Sequence, residues 1–431
     1  MLCSDSDIQQ AMCMQKSTFL GRPRWQITLA IVFFAQMMTA VGFSLVFPFL
    51  PLYVKDLGSV TGLSVEMMAG LVIAVQGFTM MLASPLWGAV ADRYGRKLMA
   101  MRAMFGGTIV MAMMGLVTNG EQLILLRGLQ GVITGTVAAN NALVAAAVPR
   151  ERVGFSMGAL QVGLWSGIAL GPLLGGVLAD AYGFAIPFFI TSIVLFISGL
   201  LIYFGIEENF QPRKTQKTTS RTGMMKQWRN VIDADGVKLV YLMRFLASIG
   251  RMMIVPIAPL FVVAILPPEN ASQSIFAGSV LAVSSATSSF SGVYLGWLGD
   301  RIGHRIILIV SAIAATIFYV PQVFVANIWQ LLLLQGLAGF ALGGLASAPA
   351  ALLARYTEQG EEGAVYGLDN SIVAGSRAVA PLIGAGVAMW FGLRGTFAAT
   401  AVLFFVVSVT AYALLPQVER KPKLKAVAAG D

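Results

Sequence analysis

The chain has 431 residues, 57% of them hydrophobic and 11% charged, with a formal net charge of +9 and a mean hydropathy of +0.78. Ordinary soluble domains carry about 25% charged residues, so a water-soluble fold is excluded: too little polar surface exists to cover this much apolar surface, and the surrounding solvent is lipid. Cysteine stands only at Cys3 and Cys13, which excludes a disulfide-stapled scaffold.

In chain order, residues 1–26 open with acids and amides and lack an apolar core. They read as a retained inner-side leader with reduced thiols, not as a cleaved signal. A bilayer core about 30 Å thick takes about 20 residues of helix. Twelve apolar runs of that size follow, at 27–53, 65–90, 99–118, 122–147, 154–179, 187–205, 239–264, 275–298, 306–325, 329–354, 364–390 and 395–415. The predicted fold is thus an all-α membrane protein of twelve transmembrane helices: one six-helix bundle over 27–205, a polar linker over 206–238, a second bundle over 239–415 and a tail over 416–431. Pro48, Pro51, Pro172, Pro256, Pro259 and Pro381 fall inside the runs, where neighbouring helices can satisfy freed backbone groups.

Lysine and arginine orient the chain. The connections on the side of the N-terminus, together with both ends, hold 23 of them, and the opposite connections hold only Lys55 and Arg394. The basic side is predicted to be cytoplasmic, with both termini there. The positive charge is spread over loops instead of forming one face, so no nucleic-acid partner is expected.

The chain also repeats itself. FPFLPLYV at 47–54 returns as VPIAPLFV at 255–262, GAVADRYGRK returns as GWLGDRIGHR with Asp92 and Asp300 in register, and LLRGLQG returns as LLLQGLAG with Arg127 against Gln335, all at an offset of 208. GPLLGG and APLIGA pair Pro172 with Pro381 at 209. One register across four landmarks implies two like-facing halves related by a pseudo-twofold axis along the membrane normal. Such parallel repeats place a substrate site between the halves near the midplane, opened alternately to each side.

These motifs resemble the major facilitator superfamily, and within it the twelve-helix drug:proton antiporters. Gly88, Asp92, Arg93, Gly95, Arg96 and Lys97 match its loop signature between the second and third spans. Arg127, Gly128, Gln130 and Gly131 are similar to its fourth-span signature. Gly167, Gly171, Pro172, Gly175 and Gly176 match the antiporter signature of the fifth span. The resemblance implies that Asp92 and its repeat partners Asp300 and Arg301 belong to a conformational latch, that the fifth span seals the outer side, and that Arg127 takes part in proton coupling. The residues are compatible with this. A carboxylate beside Arg93 and Arg96 can bridge helices. Gly163, Gly167, Gly171 and Gly175 recur every fourth residue and form a smooth stripe that lets a neighbouring backbone approach. Arg127 lies about 9 Å inside the outer end of its span, with Glu66 and Glu121 as candidate partners.

Arg251 and Arg377 lie about 20 Å from the cytoplasmic ends of their helices. A cation so deep costs at least about 2.5 kcal/mol on insertion scales, so both are expected to face the cavity or a partner. Buried acid is scarce: Asp369 enters the eleventh span, Glu66, Glu121 and Asp180 stand at outer ends, and the first span offers Gln36 where many drug:proton antiporters carry a carboxylate. Glu66 and Asp369 join Arg127 as candidates for proton coupling. Gln36, Asn140, Asn141, Gln161, Trp165, Tyr294 and Asn370 complete the candidate cavity.

GFSMG at 154–158 matches a hydrolase elbow without the preceding strand, and His304, the sole histidine, is read as a solvated loop residue; neither an enzyme nor a metal site is indicated. The expected function is proton-gradient-driven export of small amphipathic compounds by a monomer in the bacterial inner membrane, with no bound cofactor. An organic anion, such as a siderophore or carboxylated metabolite, is the alternative cargo, because Arg251 and Arg377 favour negative charge. A non-transporting receptor on the same fold is the reading from another class.

Overall fold

A computed structural model describes residues 18–19, 22–149, 152–206, 236–267, 272–356 and 362–415. Cys3, Cys13, most of the linker and the tail lie outside them. Apart from a short pairing of Thr18–Phe19 with Arg22–Pro23, the described chain is helical. The first half comprises α1 (Arg24–Leu45), α2 (Leu50–Leu57), α3 (Val65–Tyr94), α4 (Arg96–Met114), α5 (Gly120–Ile133), α6 (Thr136–Ala147), α7 (Val153–Tyr182) and α8 (Ala185–Gly205). The second comprises α9 (Val237–Ile254), α10 (Ile257–Ile265), α11 (Gln273–Ile302), α12 (His304–Tyr319), α13 (Ile328–Tyr356) and α14 (Glu362–Leu414).

Proline and glycine account for the breaks. Pro51 sits in the first turn of α2, where a missing N–H costs nothing, and its repeat partner Pro259 sits in the first turn of α10, with Pro256 just before that helix. Single glycines with positive φ, Gly95 at 98° and Gly303 at 106°, reverse the chain between α3 and α4 and between α11 and α12. Gly392, at φ 74° and ψ 170°, divides the 53-residue α14, which as one straight rod would be about 80 Å long and far exceed a bilayer.

Among the described residues, nine helical stretches are long and apolar enough to cross a membrane. The difference from twelve has identifiable causes. One stretch, Ser371–Leu414, contains two spans joined at Gly392. The eighth run forms the 30-residue α11, whose many serines lower its hydropathy. The fourth run, expected to be continuous over 122–147, is instead broken at Thr134–Gly135 into α5 and α6, with Gly135 at φ 147°. The twelve-span fold is consistent with all three.

Contacts repeat as the sequence does. Gly131 leaves room for Thr79 and Gln76, as Gly339 does for Thr287 and Ser284, every member displaced by 208. Asn119 accepts the Gln122 N–H at 2.9 Å while Gln122 Oε1 accepts the Thr118 N–H at 2.9 Å. Asn327 and Gln330 reproduce this reciprocal cap at 3.0 and 3.2 Å. Lys97 Nζ donates to the carbonyls of Tyr203 and Ile206 at the end of α8, and Arg305 donates to Tyr412 near the end of α14. Basic side chains thus satisfy carbonyls that a helix C-terminus leaves free. Separate apolar cores fill the halves, around Phe49, Met111 and Phe188 in the first and around Phe261, Tyr319 and Phe404 in the second.

The halves meet at the end remote from the basic loops. There Leu52 and Ala69 pack on Leu260, Gly70 accommodates Pro381 and Ala385, and Gly176 and Gly278 admit the backbones of Ser274 and Pro172. Asp180 of α7 accepts the first-turn amides of Ser274 at 3.0 Å and Ile275 at 2.8 Å from α11.

Candidate functional site

The polar groups with the most concentrated chemistry lie on α9 and on the part of α14 before Gly392. Arg244 Nε donates to Asp369 Oδ1 at 3.0 Å and its Nη2 to Oδ2 at 3.3 Å, while Nη1 donates to the Ala346 carbonyl of α13 at 2.7 Å. This forked ion pair joins three helices and uses both carboxylate oxygens of Asp369, which is only 6% exposed. One turn further, the Ser248 and Ser376 hydroxyls are paired. Ser376 spends its proton on the Val373 carbonyl at 2.8 Å, so Ser248 is the donor between them. Gly384 then leaves room for the Met253 carbonyl, holding the two helices side by side.

Arg251 and Arg377 continue this face. Each has no hydrogen-bond or ion-pair partner among the described residues, and Arg377 is exposed although its backbone packs against Gly77 of the first half. Both stand within electrostatic reach of Arg244, and of each other. Asp369 neutralises one of the three cations, so the cluster retains two positive charges. Arrayed this way, it can receive an anion or the electron-rich edge of a polar compound.

Arg244 was not legible as a site residue from depth alone, because a side chain a few residues inside a helix can extend to water. The repeat contains the signal: an offset of 208 carries Gln36 to Arg244, and 209 carries Leu160 to Asp369. In the first half Gln36 Nε2 donates to the Leu160 carbonyl at 3.1 Å. The ion pair therefore occupies the place where the other half has a neutral contact.

Arg127 is 1% exposed and does not extend to water. Its Nε donates to the Val72 carbonyl at 3.0 Å and Nη1 to Gln130 Oε1 at 2.7 Å, with the guanidinium 5.6 Å from the Phe47 ring centre. Neither expected acid partners it. Glu121 is engaged elsewhere: Oε1 accepts from the Ser59 hydroxyl, the Val60 amide, and the Thr61 amide and hydroxyl at 2.7–3.0 Å. The Ser59 hydroxyl and then the Thr61 groups hold this carboxyl down at about 2. Glu66 begins α3 and likewise makes no bond to Arg127.

The glycine stripe of α7 lets a neighbouring backbone approach, as its spacing implies, and that neighbour is α1. Gly163, Gly167, Gly171 and Gly175 face Phe33, Ala40, Ser44 and Leu45 of α1, within the same half, and the Ser44 hydroxyl donates to the Gly167 carbonyl at 2.9 Å. Every-fourth spacing selects one face, and α1 occupies it. The contact across the halves comes instead from Pro172 and Gly176 on the adjoining face.

At the basic loops, Gly95 makes the turn, Arg96 opens α4 and Lys97 anchors α8. The surroundings of Gly88 and the side chains of Asp92, Arg93 and Asn370 lie outside the described residues. In the second half Arg301 covers the Trp297 ring at 3.8 Å, and Asp300 Oδ1 lies 3.1 Å from His304 Nε2. His304 is buried, contrary to a solvated loop residue, because Gly299 opens the space its ring fills. Asn140 is fully buried and Asn141 half-buried, with amide atoms lacking partners; Gln161, Trp165 and Tyr294 stand exposed on their helices. Tyr294 stacks on Phe290 and lies near Trp297 and Phe340.

Comparison with known proteins agrees with this architecture. The pattern of the Major Facilitator Superfamily matches residues 32–234 and 240–430. The multidrug resistance protein MdtG of Salmonella arizonae is 38% identical over 381 residues, covering 88% of this chain and 92% of that protein. Its namesake from Dickeya zeae is 36% identical over 377 residues, covering 88% and 91%. Among solved structures, the nucleoside transporter NupG superposes with a TM-score of 0.74 at 12% identity, covering 92% of this chain and 100% of its own. A bacterial homolog of the human lysosomal transporter Spinster, in an inward-facing and occupied conformation, gives 0.74 at 13%, covering 91% and 97%. The human organic anion transporter MFSD10 gives 0.64 at 18%, covering 90% and 100%. At these identities the structures speak to the fold alone.

Proposed function

This chain belongs to the Major Facilitator Superfamily, and on that premise we propose that it is a proton-coupled exporter of small amphipathic compounds working by alternating access. The observation that carries the reading is the pairing of two contact-matched halves, closed on each other at one end, around the cluster of Arg244, Asp369, Arg251 and Arg377. The multidrug resistance proteins over a third identical to it support export of diverse small molecules. The basic loops support an inner-membrane orientation with both termini cytoplasmic, so that the closed end faces outward and the site opens to the cytoplasm. Substrate enters from that side, the Asp92 loop closes behind it, and the remote seam opens. Energy comes from the proton gradient, with Asp369 and Arg127 as the coupling groups and no bound cofactor; one chain suffices.

A second reading concerns the cargo. Two guanidiniums without a partner among the described residues, against one neutralised acid, favour an organic anion over a cationic drug. Proteoliposomes with an imposed pH gradient separate these possibilities. Flux of amphipathic compounds that collapses with the gradient is expected, and the absence of flux for every compound would refute transport. Arg377→Ala is expected to impair anionic more than cationic compounds; the reverse ranking removes the second reading.

A further inference from the structure

Two seams close the end remote from the basic loops, and the repeat relates them. In one, α7 meets α11 and Gly278 accommodates the Pro172 carbonyl; in the other, α14 meets α3 and Gly70 accommodates the Pro381 carbonyl. Gly70 and Gly278 are 208 apart, and Pro172 and Pro381 are 209 apart. Close backbone packing shuts both seams in the same way, since a side chain at either glycine would collide.

One seam carries something the other lacks. Asp180, two residues from the end of α7, places one carboxylate oxygen 3.0 Å from the Ser274 amide and the other 2.8 Å from the Ile275 amide. Those amides open α11, where no carbonyl of the same helix can accept them and the helix dipole favours negative charge. A carboxylate of one half therefore caps a helix of the other. The register puts Met389 at the equivalent of Asp180 in the second seam, and Glu66 at the equivalent of Ser274. There the acid lies on the first turn of α3 itself, so it spans nothing. Among the described residues the gate has one charged clasp, not two.

We propose that Asp180 is the clasp of the outer gate: its two charge-assisted bonds to the first turn of α11 hold the halves together, and the halves part only when both bonds break. This rests on the alternating-access reading and adds to it the side chain whose release accompanies outer opening. An amide in place of the carboxylate offers one acceptor oxygen instead of two and no charge assistance. The other charged groups at this end are differently placed. Lys55 and Asp56 end α2, Glu66 begins α3, Glu121 is bound by the 59–61 loop, and Arg394 donates to the Val323 and Val325 carbonyls. Tyr182 is the nearest ionisable group along α7, α8 and α10 carry no charged residue, and Glu269 lies outside the described residues.

The test reads the gate without a substrate. With Cys3 and Cys13 replaced by serine, a cysteine at Leu260 reports the seam, because this residue is 8% exposed and packed on Leu52 and Ala69 of the first half. A cysteine at Val60, 78% exposed at the same end, calibrates the chemistry. Both proteins are reconstituted and labelled at pH 7.5 with a membrane-impermeant maleimide from that side, and the Leu260→Cys rate is divided by the Val60→Cys rate to normalise for probe delivery. Asp180→Asn is expected to raise the ratio on the order of tenfold, the size of one charge-assisted contact. Asp180→Ala, which removes both acceptors, is expected to raise it at least as far. An unchanged ratio in either variant, eluting as folded protein from a detergent column, overturns the proposal. A missing drug flux would instead strike the transport reading, because labelling needs none.

Discussion

Separating Arg244 from Asp369 perturbs the one described ion pair that joins spanning helices of the second half. At 3.0 Å the Coulomb attraction is about 5.5 kcal/mol for an effective dielectric of 20, before desolvation is subtracted. Asp369→Asn leaves a third unneutralised guanidinium beside Arg251 and Arg377. Arg244→Gln leaves a buried carboxylate with no fork to accept. Removing one partner of a buried pair costs about 3–5 kcal/mol, and the partial exposure of Arg244 (19% for its side chain) places the expected loss near 3 kcal/mol for either change. Combining the two leaves a neutral pair, as the Gln36 contact at the equivalent place in the first half is neutral. The double variant should lose about 2 kcal/mol less than the sum of the single losses. Unfolding of the purified protein in a graded mixture of mild and denaturing detergent measures all four corners of the cycle. Losses that add within about 0.5 kcal/mol would show that the pair does not act as a unit, and the reasoning fails.

Glycines on α7 should differ by face. Gly175→Ala drives a methyl into the Leu45 carbonyl and should cost about 3 kcal/mol with little folded protein recovered, whereas Gly158→Ala meets nothing within 4 Å and should be neutral or gain about 0.5 kcal/mol; equal thermal stability of the two would contradict the packing. The Glu121 carboxyl is lowered to about 2 from 4.5, so its contribution is complete above about 4.5 and is lost as pH falls through 2. The protection factors of the Val60 and Thr61 amides, which divide out the intrinsic pH dependence of exchange, should fall across that window, and Glu121→Gln should remove the change; a constant protection factor in the parent refutes it. Asp92→Asn should leave the protein folded by detergent-column profile while reducing pH-driven flux at least tenfold, and normal flux would remove Asp92 from the latch.

Much of the architecture was legible beforehand because lipid leaves few choices. Twenty apolar residues must become helix, basic loops choose a side, and a constant offset of 208 can be read without coordinates. Glycine and proline marked most breaks, as at Gly95, Gly303 and Pro51. The interruption at Thr134–Gly135 was not marked, because an uncharged run of normal length does not reveal a turn within it. Arg251 and Arg377 stood out by depth, while Arg244 was hidden near a helix end and its role depends on Asp369, 125 residues away.

By itself, the sequence determined that the chain is a helical membrane protein made of one unit used twice, since hydropathy, loop charge and repetition are properties of the string. Tertiary structure alone decided which polar groups meet. Helical spacing fixes the face a residue shares, as for Gly163 to Gly175, but not the helix that covers that face. Arg127 accordingly bonds the Val72 carbonyl and Gln130 instead of an acid, and Asp180 reaches across to α11, because hydrogen bonds span a few ångströms and only the packing of distant segments brings partners that close.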